Sequence, residues 1–227
     1  MGLAMLGAVS QGILWGVMVL GVFITYKLLD IADLTVDGSF ALGGSVCAVL
    51  VVSGVDPVLA IFAAMLAGMI AGAVTGFLHT VFEIPAILAG ILTQIALWSV
   101  NLRIMGKSNT PLLRVDTLFS SVTDATGLPQ NVASIIVGLI FAILIIVALY
   151  WFFGTEIGSA CRATGNNEAM VRALGVDTKV TKMIALTLSN GLVGLSGGLI
   201  CESQGYADIG MGTGAIVIGL AAIVIGE

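Results

Sequence analysis

Charge is what this 227-residue chain has least of: Asp, Glu, Lys and Arg make up 9% of it, while 59% is hydrophobic. A soluble domain carries roughly 25% charged residues to dress its surface, so most of this chain cannot be surrounded by water. The eight basic residues are scattered and the net charge is −5, which leaves no cationic patch for a polyanion and excludes nucleic acid as a partner. Histidine occurs once, at His79, and no HExxH or paired-Asp pattern exists, so neither a metal site nor an intramembrane enzyme is indicated. Cys47, Cys161 and Cys201 stand far apart without a CxxC pair. They imply neither a disulfide framework nor a zinc site and read as small apolar residues. Gly106, Lys107 and Ser108 match the tail of a phosphate-binding loop, but the position of its first glycine is Asn101 and no strand precedes it. ATP hydrolysis is therefore not expected of this chain. Gly210, Gly212 and Gly214 likewise lack the GxGxxG spacing of a dinucleotide fold, and read as a flexible extracellular re-entry into a following span.

What the chain does have is apolar runs near 20 residues, each long enough at about 1.5 Å per residue to cross a ~30 Å hydrocarbon core. About seven are legible: roughly 3–26, 38–55, 57–80, 84–105, 130–153, 181–201, and one that starts near 214 and is not completed. The runs are continuous rather than alternating, which predicts helices and not a barrel. The thirty glycines suit helices packed closely in lipid. The fold class is thus an all-α polytopic membrane protein, a single transmembrane domain over 1–227. The N-terminal stretch lacks a basic leader and a small-residue cleavage site, so it reads as a retained span.

Orientation follows from basic residues in short loops. Arg162, Arg172, Lys179 and Lys182 cluster between 154 and 182, which places that stretch in the cytoplasm. Counting back puts 106–130, with two prolines and many turn formers, outside, together with Arg103, Lys107 and Arg114. Residues 80–84 and Lys27 fall inside, Asp56 and the N-terminus outside.

Three groups of residues carry candidate function. Gly158 to Gly175 has the grammar of a short cytoplasmic helix: Asn166 or Asn167 as N-cap, Glu168 in the first turn, Gly175 at the left-handed C-terminal position. Glu168 and Arg172 are spaced for an i,i+4 pair, and Met170, Val171 and Leu174 form an apolar ridge. By composition this is equally a docking knob or a membrane-surface helix. Asp33, Thr35, Asp37 and Ser39 interrupt apolar sequence. They form either a turn whose side chains cap the next helix or a broken helix lining a translocation path. His79 and Glu83, at i,i+4, read as an interfacial pair, and Gly68, Gly72 and Gly76 as a close-packing ridge.

The segment around Arg162, with Ser189 to Gly198 (SNGLVGLSGG) and Gln204 to Gly214 (QGYADIGMGTG), resembles the permease family of ABC importers that includes branched-chain amino-acid and ribose permeases. Asp33 to Gly44 (DLTVDGSFALGG), His79 to Thr93 (HTVFEIPAILAGILT) and Asn101 to Gly106 (NLRIMG) resemble the branch associated with amino-acid uptake. The resemblance spans the whole chain. It implies a membrane-spanning importer subunit in a bacterial inner membrane, and a coupling helix, with Arg162, Ala163, Gly165 and Asn167 as its opening, inserted into an ATPase. The coupling set is then Arg162, Ala163, Gly165, Asn166, Asn167, Glu168, Ala169, Met170, Arg172, Leu174 and Gly175. It further implies a separate ATPase subunit that uses ATP and Mg, an extracytoplasmic solute-binding protein, and a second permease subunit, most simply as a homodimer. This chain itself would hold no cofactor and no catalytic residue. An ion-coupled carrier is the alternative, kept open by the acids near Asp33. Family members continue beyond Gly226 and Glu227, and Ala215 to Ile225 provides only 11 residues, roughly 17 Å of helix. The chain is therefore expected to be truncated within a span.

Overall fold

In a computed structural model, residues 2–113 and 115–226 are described. Met1, Glu227 and Arg114, a basic residue of the stretch expected outside, lie outside the described residues. The elements are α1 (Gly2–Phe23, continued by a π turn Ile24–Leu28), α2 (Thr35–Val52), α3 (Pro57–Thr80), α4 (Ala86–Met105), β1 (Asn109–Pro111), α5 (Leu118–Thr126), α6 (Gln130–Phe153), α7 (Glu156–Asn166), α8 (Glu168–Ala173), α9 (Thr178–Gln204), β2 (Tyr206–Asp208) and α10 (Ala215–Gly226). Six of these helices are long and apolar enough to span a membrane, and α10 is a shorter apolar helix. The protein is a multi-pass, all-α membrane protein.

Burial ranks the spans. Of the most apolar window, 83% is buried in α9 and 72% in α2, but only 28% in α4 and in α6. The central pair, α2 and α9, is the one richest in small and polar residues, and the outer helices turn Leu, Ile, Val and Trp outward to lipid, for example Leu59, Leu66 and Ile70 on α3. Glycine sets how closely the inner helices approach. A methyl at Gly68 would strike the Asn190 backbone carbonyl, and one at Gly72 the Leu186 carbonyl, while Gly43 and Gly194 press together across α2 and α9. The Gly68–Gly72–Gly76 ridge is thus a packing surface for α9. Hydroxyls finish the interior: Ser189 donates to Gly21 O at 2.7 Å and Ser196 to Leu14 O at 2.9 Å, binding α9 to α1, and Ser45 and Thr93 satisfy themselves on carbonyls four residues back.

The two ends of the bundle differ. At one end β1 and β2 pair antiparallel, Asn109 opposite Asp208 and Pro111 opposite Tyr206, and α5 lies over α9. The 106–130 stretch, expected as loop, therefore holds a strand and a helix. Thr117 and Ser120 form the capping box that starts α5, and nine amphipathic residues among turn formers are too short to register as a run. At the other end lie the Val81–Pro85 turn, the π turn, α7 and α8. Here Lys179 pairs with Glu83 at 3.3 Å. The expected His79–Glu83 pair is not formed: α3 ends at Thr80, Glu83 has φ 56° in the turn beyond it, and His79 Nδ1 meets Ile84 O at 2.8 Å instead.

Candidate functional site

The stretch expected to be one coupling helix is two. Asn167 leaves helical geometry (φ −157°, ψ 92°), ending α7, and its side chain accepts the Met170 N–H at 3.0 Å, starting α8. Asn167, not Asn166, is the cap. Arg162, Ala163, Gly165 and Asn166 belong to α7. Arg162 donates to Phe153 O at 2.7 Å, capping the C-terminus of α6. A side chain at Gly165 would run into the Leu28 carbonyl, so its glycine is what lets α7 close on the π turn. Thr164 and Thr181 share a hydrogen bond at 3.0 Å, and Cys161 Sγ donates to Thr181 O at 3.5 Å. Burial raises the pKa of the Cys161 thiol. The family-like opening is thereby committed to the chain's own bundle.

The outward face is α8. Glu168 accepts from Arg172 at 2.6 Å, Lys182 at 2.7 Å and Thr178 at 3.0 Å, a fan that fixes α8 on the first turn of α9. The hydrogen bond from the Lys182 ammonium, assisted by Thr178 and by the Arg172 charge, holds the Glu168 carboxyl below its ordinary pKa against the opposing effect of burial. Gly175 adopts φ 86°, as its position required. The expected apolar ridge is split: Val171 is buried at 2%, whereas Met170 is 50% and Leu174 74% exposed. Ala169, Met170 and Leu174 are left facing outward beyond the spans.

The second candidate group sits at the break between α1 and α2. Asp33 is buried at 2%. One of its oxygens accepts the Thr35 N–H at 2.9 Å and the other accepts from Asn190 of α9 at 2.6 Å. Asn190 in turn accepts from Ser39 at 2.6 Å, and Thr35 meets Thr75 of α3 at 2.8 Å. Asp37 acts on a different helix. Its two oxygens accept the Gly214 and Ile216 N–H groups at 3.0 and 2.9 Å, capping α10. Both acids thus serve helix N-termini, one of them a helix 177 residues away in sequence. Gly210 to Gly214 is packed and hydrogen-bonded rather than flexible. Gly210 N–H reaches the Asp208 carboxylate at 2.7 Å, Thr213 N–H the Gly210 carbonyl at 3.0 Å, and a side chain at Gly212 would strike the Asp37 backbone.

Two polar residues that motif reading passed over complete the interior. Asn190 joins the Asp33 and Ser39 side chains, and Glu202, 1% exposed, accepts the Leu118 N–H at 2.8 Å and the Cys47 thiol at 3.3 Å. The cost of ionisable groups at membrane depth is the signal that flags Glu202, but it lies one residue past the apolar run 181–201.

Six helices long and apolar enough to cross a membrane, with an amphipathic two-helix segment at one end, define a multi-pass membrane protein. A family described as the branched-chain amino acid transport system / permease component matches residues 4–227, and the chain belongs to this family. It is 39% identical over 191 residues to the tyrosine transport system permease protein of Clostridioides difficile, covering 84% of this chain and 62% of that protein. Identity is 35% over 189 residues to an uncharacterized protein of Rickettsia prowazekii, covering 83% and 64%. With the ribose import permease protein of Escherichia coli it is 30% over 168 residues, covering 72% and 50%. The chain spans less than two thirds of the length of these relatives. No solved structure matches it.

Proposed function

We propose that this chain is the membrane-spanning part of an ATP-driven importer subunit in the bacterial cytoplasmic membrane, forming the path for an amino acid or similarly small solute. The observation that carries the reading is α8. It stands beyond the spans, anchored by Glu168 to Lys182 and Arg172, and presents Met170 and Leu174 to a partner. A separate ATPase subunit, using ATP and Mg, docks there; closure of two such subunits moves α7–α8 and, through the Lys182 and Arg162 bonds, the spans α9 and α6. A second permease subunit completes the path as a homodimer, and a solute-binding protein delivers solute to the opposite end. Within the coupling set, Asn166, Asn167, Ala169, Met170, Arg172, Leu174 and Gly175 form the docking face, and Arg162, Ala163 and Gly165 the joint behind it. Asp33, Thr35, Asp37 and Ser39 hold the helices that wall the path, through capping rather than open lining. The amino-acid reading draws support from the similarity to the tyrosine transport system permease protein of Clostridioides difficile.

Co-purification with the ATPase is the test. Ala169→Glu places a charge on the docking face, and is expected to abolish association and ATP-driven uptake while the monodisperse, folded protein is retained. Wild-type association and uptake in this variant would make α8 a membrane-surface helix, and uptake driven by an ion gradient without the ATPase would establish the carrier alternative.

A further inference from the structure

The basic residues clustered between 154 and 182 are not equivalent. Arg172 and Lys182 pair with Glu168 at 2.6 and 2.7 Å, and Lys179 pairs with Glu83 at 3.3 Å. Arg162 meets no carboxylate among the described residues; the acceptor it does meet is the neutral Phe153 O, at 2.7 Å through one terminal nitrogen. A guanidinium is a planar fork of N–H donors that cannot be discharged in a protein. At this exposed position a full positive charge and most of that fork are therefore left without an anion.

Arg162 lines the α7 end of a crevice of about 530 Å³ between α1, with its π turn, and the last turns of α6. The other side chains of its wall are aliphatic or aromatic. Phe23, Ile146 and Tyr150 are 39%, 52% and 85% exposed, so they can touch an occupant, and Leu20 and Leu149 are half-buried. Depth is marked by aromatic rings: Tyr150 and Trp151 near the end of α6 and Tyr26 in the π turn all turn outward, as such rings do at the headgroup level of a bilayer. Arg162 thus lies where lipid phosphates lie, and the crevice runs from it toward the hydrocarbon. Other cavities lack this combination. The crevice between α2, α3 and α4, about 430 Å³, has no charged side chain in its wall, and the cavity lined by Glu83, Glu168, Lys179 and Lys182 has its charges paired with one another.

We propose that this crevice is a binding site for one anionic phospholipid from the leaflet at the α7–α8 end. The phosphate oxygens accept from the Arg162 N–H groups not used on Phe153 O, and an acyl chain lies in the crevice against Phe23 and Ile146. Charge decides the class of lipid. A zwitterionic headgroup brings its own ammonium to its phosphate, whereas a headgroup of net negative charge leaves that charge for Arg162. The site also reaches the fold, because the guanidinium that holds the phosphate is the one that caps α6: a bound lipid steadies the corner from α6 into α7. The assignment needs only that the chain spans a membrane, and it stands whether or not an ATPase docks on α8.

Native mass spectrometry of the full-length protein, delipidated in detergent and titrated with phosphatidylglycerol or phosphatidylcholine of matched acyl chains, counts the lipids bound. One phosphatidylglycerol per chain is expected to bind about tenfold tighter than phosphatidylcholine, the scale of a charge-assisted hydrogen bond. Arg162→Gln is expected to bring the two lipids to equal affinity. Because Arg162 also caps α6, a second variant leaves it in place: Ile146→Trp fills the crevice from the lipid side and is expected to lower phosphatidylglycerol binding. Ile143→Trp, at a position 60% exposed and outside the crevice wall, is expected to bind as the parent does. Equal affinity for the two lipids in the parent protein, or phosphatidylglycerol binding unchanged in Arg162→Gln or in Ile146→Trp, overturns the proposal. Displacement of the lipid by millimolar inorganic phosphate overturns it as well, making Arg162 a soluble-anion site, and loss of ATPase co-purification in Arg162→Gln with lipid binding intact gives the cation to a protein partner instead.

Discussion

Asn190 stands where three helices are tied together, and its neighbours have no substitute partner in lipid. Asn190→Ala strips the donor from one Asp33 oxygen and the acceptor from Ser39, leaving buried polar groups that cost about 1–3 kcal/mol each. The expected result is a clear fall in thermal stability in detergent, well beyond that of Thr93→Ala, whose hydroxyl bonds only within its own helix. Asp37 divides by chemistry. Asp37→Asn keeps one oxygen for the α10 N-terminus and Asp37→Ala keeps none, so stability should decline in that order, the Ala loss being about 0.5–2 kcal/mol, with uptake following stability. Uptake abolished by Asn at unchanged stability would give the charge a separate role. At this scale the sequence disclosed what was local. The Asn167 cap, the Glu168–Arg172 pair and the Gly175 turn span at most a few residues, whereas Asp33 and Asn190 meet across 157 positions and no spacing rule connects them.

Among elements, hydropathy found the spans because lipid demands continuous apolar runs, and the six long helices lie close to the expected ranges. It missed α5 and α7, whose short amphipathic turns depend on caps and on packing against the bundle rather than on their own apolar content. The same dependence makes α8 sensitive to acid. The Glu168 pKa is lowered in the folded state, so its contribution to stability is fully present above the unfolded-state value, about 4.3, and is lost as pH falls through the lowered folded value. The protection factors of the α8 amides, taken against intrinsic exchange at each pH, should therefore fall at acidic pH, and Glu168→Gln should show low protection already at neutral pH with little further change. Helix approach offers a sharper test. Gly72→Val forces a branched side chain onto the Leu186 carbonyl between α3 and α9, and overpacking of this kind costs about 1–3 kcal/mol or more. Gly12→Val on α1, where a side chain would meet open space, should leave folding unchanged in a thermal melt.

For the whole molecule, alternation of the spans puts the β1–β2 end and the α7–α8 end on opposite faces, and the sparse positive charges make the α7–α8 end the proposed cytoplasmic one. Because Cys47, Cys161 and Cys201 are all buried, single cysteines can be placed without removing them. In sealed spheroplasts, Leu113→Cys should react with a membrane-impermeant maleimide and Leu174→Cys should react only after lysis, both parent residues being largely exposed. The reverse pattern would invert the orientation and take the ATPase reading with it.

The Asp37 bond to α10 also has a consequence in time. A helix that begins beside α2 has its first N–H groups met by an α2 side chain, Asp37, and apolar surroundings offer them no other acceptor. During synthesis α10 emerges long after α2 has entered the membrane, so the carboxylate is already waiting when the late segment arrives. Biogenesis then has a built-in order: the last helix described here can settle only on a correctly assembled first half, and a chain whose early spans have mispaired would expose that failure as an α10 left at the membrane surface, open to surveillance proteases.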